Sequence, residues 1–335
     1  MAKRVTIGQL AEELGLSKAA TSYALRGSDQ VSAETQRRAK ELAAKRGWTP
    51  SAAARALTSP LVGAIGVVIR RDPRLLGNEP FFVGLIAGIE EELADTDDVL
   101  VLRMIGADGD REEEIYRRWG GERRVDGVLL FDDRLDDPRP SLVHEAGMTS
   151  VMLTSRDHGD GQGIVLDDPH GDAQLMLDHL AALGHRSVLH LSGPSALVHE
   201  TERRAALNRV AAGHGMSVTS MSTDYAAEEG EELLARMLRE NRPLSAVVAS
   251  NDLLAVGAAK ALEDAGRHDV AVVAWDDSLL CSLRSRPLTA LARFPEERGR
   301  RGTKLLREIL RGGEGRTVAA APSELRVRAT STPAR

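Results

Sequence analysis

Nine histidines, one cysteine and several runs of acids are the residues of this chain with catalytic or metal-binding chemistry. His179, His185 and His190 fall at intervals that no short zinc motif uses, and Cys281 alone cannot complete a thiolate set. A single cysteine also excludes an internal disulfide framework and suits a reducing cytoplasm. It reads as a small core residue. The chain has no phosphate-cradling glycine loop, no Gly-x-Ser-x-Gly elbow and no His-Glu-x-x-His helix. The runs Glu90–Glu92 and Glu112–Glu114 read as solvated helix faces. No catalytic residue, metal or cofactor is expected, and enzymatic activity is disfavoured.

Binding chemistry is better represented. Ser17 can cap a helix that opens with Lys18, Ala19, Ala20, Thr21, Ser22 and Tyr23. A helix N-terminus capped by serine can hold a phosphate. Placed in a major groove, Lys18 can donate to guanine O6 or N7, whereas Ala19 offers only apolar contact, for example to a thymine methyl. Tyr23 can hydrogen-bond a phosphate or pack on a sugar. Thr6, Ser32 and Thr35 suit phosphate clamps or caps. Farther along, Phe81 and Phe82 are two of four phenylalanines, and an aromatic wall suits a sugar or a nucleobase. Phe82 is the better core residue of the pair. Asn251 and Asp276 each follow an apolar strand-like run, where such side chains can grip vicinal hydroxyls. Asn251 can equally cap the helix that follows. Arg156 is a further candidate.

The elements that must position these residues come in two styles. Thr6 with Gln9 forms a capping box ahead of Ile7, Leu10, Ala11 and Leu14, which share one helical face. Gly15, the Ser17 helix, the Gly27–Asp29 turn and a Ser32-capped helix with Ala39, Leu42 and Ala43 follow. This predicts three short helices arranged as a helix-turn-helix over residues 1–48. Residues 51–58 are helix-prone but too short to stand alone, so 49–60 reads as a hinge. From residue 61 strands and helices alternate, which predicts doubly wound parallel sheets with ligand crevices at the strands' carboxyl ends. The length allows two lobes, expected at about 61–160 with 290–318 and at about 161–289 with 319–330. The fold class is therefore an all-α headpiece joined to a two-lobed α/β domain.

Charge separates the same regions. The net charge is −6, yet the first sixty residues carry ten lysines and arginines against five acids, leaving the remainder at −11. A basic arm on an acidic body confines nucleic-acid contact to the arm. No apolar leader opens the chain and no run of roughly 18 uncharged apolar residues occurs, so neither a secretory signal nor a membrane span is expected.

The segment from Val5 to Gly27 (VTIGQLAEELGLSKAATSYALRG), then Val31–Thr35 (VSAET) and Gly47–Leu57 (GWTPSAAARAL), resembles the lactose-repressor (LacI/GalR) family of bacterial regulators. The resemblance continues through Asn78–Phe82, Val125–Val128, Leu183–Arg186, Ser250–Asp252, Trp275–Asp277 and Glu324–Arg328, covering nearly the whole chain. It implies that Lys18 and Ala19 read base edges and that Ser22 and Tyr23 make further contacts. Many members carry arginine where Tyr23 stands. It also implies a hinge helix in which Leu57 wedges a minor-groove step, flanked by Ser51 and Arg55. The body resembles periplasmic sugar-binding proteins. Arg204 then matches an arginine that grips effector hydroxyls or carboxylates, and Leu207 takes a position where glycine is common, reshaping the pocket floor. The implied protein is a cytoplasmic repressor of sugar-utilisation genes that binds an inverted-repeat operator as a homodimer. The tail from Ala329 to Arg335 is too short and polar to be a tetramerising helix. The alternatives are a co-repressor-dependent regulator sensing a nucleobase, and a sugar-binding protein or enzyme with a fused DNA-binding arm.

Overall fold

The computed structural model describes residues 5–49, 61–71, 79–106, 109–159 and 161–331. The hinge candidates Ser51, Arg55 and Leu57 lie outside the described residues. Two compact units divide the chain, Met1–Val62 and Gly63–Arg335.

The first unit holds α1 (Ile7–Leu14), α2 (Lys18–Arg26) and α3 (Ala33–Lys45). The capping box at Thr6 forms, with Gln9 N–H donating to Thr6 Oγ1 at 3.4 Å and Thr6 N–H donating to Gln9 Oε1 at 2.9 Å. Gly15 and Gly27 end α1 and α2 in the left-handed region, at φ 66° and 73°, which glycine adopts without steric cost. Leu10, Ala11, Ala24, Ala39 and Ala43 form the buried faces. Small alanines let three short helices approach closely.

The second unit has two six-stranded sheets. The first sheet takes β1 (Ala64–Arg70), β2 (Val99–Ile105), β3 (Gly127–Leu130), β4 (Thr149–Thr154), β5 (Gly163–Leu166) and β11 (Thr317–Ala319). Its order is β11-β5-β4-β3-β1-β2, parallel throughout. The second takes β6 (Ser187–Ser192), β7 (Ser217–Ser222), β8 (Ala246–Ala249), β9 (Ala271–Ala274), β10 (Thr289–Ala292) and β12 (Glu324–Arg326). Its order is β12-β10-β9-β8-β6-β7, with only the β12–β10 pair antiparallel. β3, β8, β9 and β10 are buried along their whole length, as central strands covered on both faces must be.

Helices flank both sheets. These are α4 (Pro80–Leu93), α5 (Gly109–Gly121), α6 (Arg139–Glu145), α7 (Pro169–Ala182), α8 (Val198–Gly213), α9 (Ala227–Arg239), α10 (Asp252–Asp264), the short α11 (Leu279–Ser282) and α12 (Pro295–Leu310). The chain leaves the first lobe after β5, returns after β10 to build α12, and leaves again after β11 to add β12. The expected lobe limits therefore shift. β5 belongs to the first sheet rather than the second lobe, and β10 to the second sheet rather than the first.

The α4–α12 contact positions the site. A Cβ on Gly88 would stand 1.8 Å from the Glu296 carbonyl oxygen, and one on Gly299 would stand 2.2 Å from that of Leu85. Only glycine permits this approach. It fixes the start of α12, and with it Arg293 and Arg298, against the start of α4, where Phe81 stands.

Glu112 corrects the reading of its acid run. It is fully buried on α5, where it accepts from Arg139 and Tyr116 at 3.1 Å each and pairs with Arg134. Its neighbours Glu113 and Glu114 remain on the wetter side.

Candidate ligand cleft and nucleic-acid interface

In the first unit, Lys18 and Ala19 occupy the exposed tip of α2, and Tyr23 is 36% exposed one turn on, with Arg26 stacked 5.3 Å from its ring centroid. Ser17 Oγ accepts from Ala20 N–H at 3.1 Å, so its hydroxyl is engaged as a cap. Ser32 caps α3 by accepting from Thr35 N–H at 3.3 Å, and the Ser32 and Thr35 hydroxyls bond each other at 2.9 Å. Ser22 is half-buried. Thr21 is a correction: its side chain is fully buried and donates to the Ser17 carbonyl at 3.0 Å, so it braces the turn and does not face DNA. The helical repeat sets this, since Thr21 and Ala24 share the inward face while Lys18 and Ala19 point away.

In the second unit, a cleft opens at the carboxyl ends of both sheets. Phe81, Phe82, Asn251 and Asp276 line it. Phe82 is also core, edge-on to Phe81 at 6.1 Å and to Phe131 at 6.3 Å. Asn251 caps α10, accepting from Leu254 N–H at 2.8 Å, while its amide donates to the Tyr225 carbonyl at 3.2 Å. Asp276 receives Arg293 at 3.0 Å.

Two arginine expectations are overturned. Arg204 lies outside the cleft and its predecessor Arg203 lines it. α8 starts at Val198, so Glu200, Arg203 and Leu207 share the buried side and Arg204 is turned about 100° away. Leu207 itself sits in the hydrophobic core with Met176, Val248 and Trp275, and shapes no pocket floor. Arg156 is engaged by Glu202 across the lobes at 2.6 Å and does not line the cleft.

The remaining cleft residues come mainly from the ends of other strands. After β1, Arg71 pairs with Asp132 at 3.0 Å and Glu79 at 3.1 Å and lies 5.2 Å from the Phe82 ring centroid. Asp132 adopts a left-handed φ of 50°, a strained backbone of the kind that gathers at functional sites. Burial pushes its carboxyl up, but Arg71 and nearby cations hold it below the ordinary value. Asp133 accepts from Thr154 Oγ1 at 2.6 Å and bonds the His158 ring at 2.7 Å, leaving its second oxygen buried without a partner among the described residues. After β10, Arg293 joins Asp276 of one lobe to Asp167 of the other, at 3.0 and 3.1 Å. Arg298 also pairs with Asp167, and burial pulls its guanidinium down to about 9.

The second lobe contributes a floor around Glu200. One carboxylate oxygen accepts from Arg203 at 2.8 Å and Tyr225 at 2.9 Å, and the other from Ser250 at 2.7 Å and Gly193 N–H at 2.9 Å. Burial works to raise this acid, yet Arg203 and the hydrogen bonds hold it at about 2. Arg203 stacks 4.8 Å from the Trp275 ring centroid, and Trp275 Nε1 donates to Asp172 at 3.0 Å. Beside this floor, burial and the neighbouring Asp276 push the Asp252 carboxyl up to about 6 against a Ser278 hydrogen bond. His190, buried between Ser220 and Ser250, is pulled down to about 4 by burial, and Cys281 is buried.

Among the described residues no helix is long and apolar enough to cross a membrane. Residues 177–331 match the periplasmic binding protein-like domain family. The chain is 30% identical over 321 residues to the HTH-type transcriptional regulator CelR of Thermobifida fusca, covering 92% of this chain and 93% of that protein. Among solved structures, a LacI family transcriptional regulator from Bifidobacterium animalis superposes with a TM-score of 0.74 at 30% identity, over 81% of this chain and 98% of that one. A complex of the transcriptional regulator CelR with cellobiose also gives 0.74, at 26% identity over 98% of this chain and 100% of that one.

Proposed function

Because this chain belongs to the LacI family of ligand-controlled, DNA-binding transcriptional regulators, we propose that it represses sugar-utilisation genes and that a neutral sugar in the interlobe cleft controls it. One observation carries the choice of effector. The arginines that line the cleft are already matched to acids, with Arg71 on Asp132, Arg203 on Glu200 and Arg293 on Asp276. An ionic ligand would have to displace one partner of such a pair. A polyhydroxylated neutral ligand can accept from the remaining N–H donors and donate to the carboxylates without breaking any pair. The Phe81–Phe82 wall supplies the apolar surface that a pyranose face covers.

The DNA reading follows from α2. Lys18 and Ala19 at its tip are the base readers, and Tyr23 is a backbone contact one turn away. The protein works in the cytoplasm as a homodimer on an inverted repeat, since a two-fold assembly matches a two-fold operator. Sugar binding and operator binding are coupled, so each alters the other's affinity by the same factor. A thermal-shift screen of sugars and nucleosides, followed by gel shift with each hit, tests the reading. Stabilisation by a sugar that also releases DNA supports it. Stabilisation by a nucleobase that tightens DNA binding would replace it with co-repression.

A further inference from the structure

Arg26 closes α2 and is the only arginine on that helix. With about 100° per residue, Lys18, Ser22, Arg26, Ala19 and Tyr23 follow one another round an arc of about 140°. Thr21 and Ala24, the buried residues of the helix, lie on the opposite side. Arg26 therefore stands in the middle of the face that carries Lys18 and Ala19, and it is itself exposed.

Its side chain is held in place. Nε donates to the Ser22 carbonyl at 3.2 Å, one turn back. The guanidinium carbon lies 5.3 Å from the Tyr23 ring centroid. Side chains on a helix lean towards its N-terminus, and these two contacts keep the guanidinium at the level of Ser22 and Tyr23. They occupy one face of the guanidinium plane and its Nε edge. Both Nη groups are left without a hydrogen-bond partner among the described residues. Acids hold other arginines of the same unit, Arg37 by Glu34 and Glu41 and Arg46 by Glu13. Arg26 makes no ion pair among the described residues.

A cation in the last turn also steadies the helix dipole, but any positive charge does that. A stack on Tyr23 with the Nε edge tied down needs a flat, oriented cation, which lysine cannot supply. The remaining fork of Nη donors matches guanine O6 and N7. Phosphates line the walls of a groove and bases its floor. The edges of the α2 arc, where Tyr23 stands, face the walls, and its middle, where Arg26 stands, faces the floor.

We propose that Arg26 reads a guanine in the major groove and that the Tyr23 ring holds its guanidinium for that contact. The proposal rests on the assignment of α2 to the groove and adds a second base-reading side chain to Lys18. The guanidinium lies about one turn past Lys18, so the guanine is roughly two base-pair steps from the base that Lys18 reads.

Gel-shift titrations of the full-length protein test this, on a duplex selected from a random pool and on duplexes with each base pair changed in turn. The wild type is expected to prefer G·C at the Arg26 position by about tenfold or more. Arg26→Lys keeps the charge in the last turn, so the headpiece melting temperature should hold while that preference falls to within about threefold. Preference at the Lys18 position should persist. Tyr23→Phe removes the hydroxyl but not the ring and should keep the G·C preference, whereas Tyr23→Ala should reduce it by at least about threefold. Full G·C preference in Arg26→Lys overturns the proposal. So does an affinity loss in Arg26→Ala that is equal on every duplex and lowers the salt slope by about one, the mark of a phosphate contact. An unaltered preference in Tyr23→Ala removes Tyr23 from it. Lys18→Ala, measured alongside, separates the two claims. If Lys18→Ala relaxes a base position and Arg26→Lys relaxes none, Arg26 is not a reader and α2 still is. If neither relaxes any position, both fall.

Discussion

The backbone N–H of Val198 donates to the carbonyl oxygen of Asp133 at 2.9 Å, and so ties the second lobe to the first beside the ligand cleft. A bridge between Arg134 and Leu197 extends the tie, with Leu135 N–H on the Ala196 carbonyl at 3.4 Å. These residues follow β3 and β6, at the strand ends that frame the cleft. The Arg156–Glu202 pair also spans the lobes, half-buried and partly screened by solvent. The backbone clasp and the buried Arg293 bridge from Asp276 to Asp167 are the stronger ties between the lobes.

Val198→Pro isolates that bond. Val198 is the first residue of α8, where proline is tolerated because no intrahelical N–H is lost. Leu197 already has φ −86° and ψ 130°, which suit a residue before proline. The variant is expected to keep its unfolding midpoint while its affinity for the best sugar falls about fivefold, the equivalent of about 1 kcal/mol for one hydrogen bond. Unaltered affinity in a folded variant would show that the clasp contributes nothing to the bound state.

Glu200 predicts an acid limb in the stability profile. Its folded value of about 2 lies below its ordinary 4.5, so the stability it confers is complete above pH 4.5 and disappears as pH falls towards 2. The shift corresponds to about 3 kcal/mol. Glu200→Gln should flatten this limb in urea titrations followed by tryptophan fluorescence. It should also be less stable at pH 7, because Arg203 loses its buried partner. A variant retaining the full acid limb would assign that limb to other carboxylates.

Asp252 predicts the opposite slope. Its folded value of about 6 exceeds its ordinary 3.8, so it destabilises the fold above pH 6, and stability recovers as pH falls from about 6 towards 3.8. Asp252→Asn should therefore gain on the wild type at pH 8 and lose that gain near pH 4. A difference between the two proteins that does not vary with pH would refute this.

The strand-end rule locates the cleft from sequence, and its reach depends on how plainly each strand's residues mark it as one. Asn251 and Asp276 follow β8 and β9, two runs whose apolar residues are unmistakable. Arg71 and Asp132 follow β1 and β3 and are within reach of the same rule. Asp167 follows β5 (GIVL), a run as apolar as β8 and β9, and is within reach too, whereas Arg293 is not, because β10 (TALA) has little of the β-branched character that marks a strand. Arg204 is an expectation of the resemblance alone, which does not fix helical phase to the residue. On α8 Glu200, Arg203 and Leu207 share the buried side, so Arg203 and not Arg204 lines the cleft. Glu112 escaped because an acid run on a helix has one member per turn facing inward, and only tertiary partners, here Arg139 and Arg134, make that burial tolerable.

Lys18 and Thr21 give a paired test of the DNA-reading helix, three residues and nearly one turn apart. Lys18 is exposed at the tip of α2, and its side chain passes close to Gly8, where an added Cβ would meet the lysine Cε at 3.2 Å. Thr21 is buried and bonds the Ser17 carbonyl. Operator DNA selected from random duplexes would supply the probe. Lys18→Ala should weaken binding by about 1–3 kcal/mol and relax preference at one base position, with headpiece stability unchanged. Thr21→Val should do the reverse. It leaves the Ser17 carbonyl without its hydroxyl donor and lowers the headpiece unfolding midpoint, while affinity at a temperature where the headpiece stays folded remains within about threefold. Gel shifts at two salt concentrations alongside thermal melts separate the effects. If Thr21→Val cost as much affinity as Lys18→Ala in a folded headpiece, the inward placement of Thr21 would be wrong, and with it the face of α2 assigned to the groove.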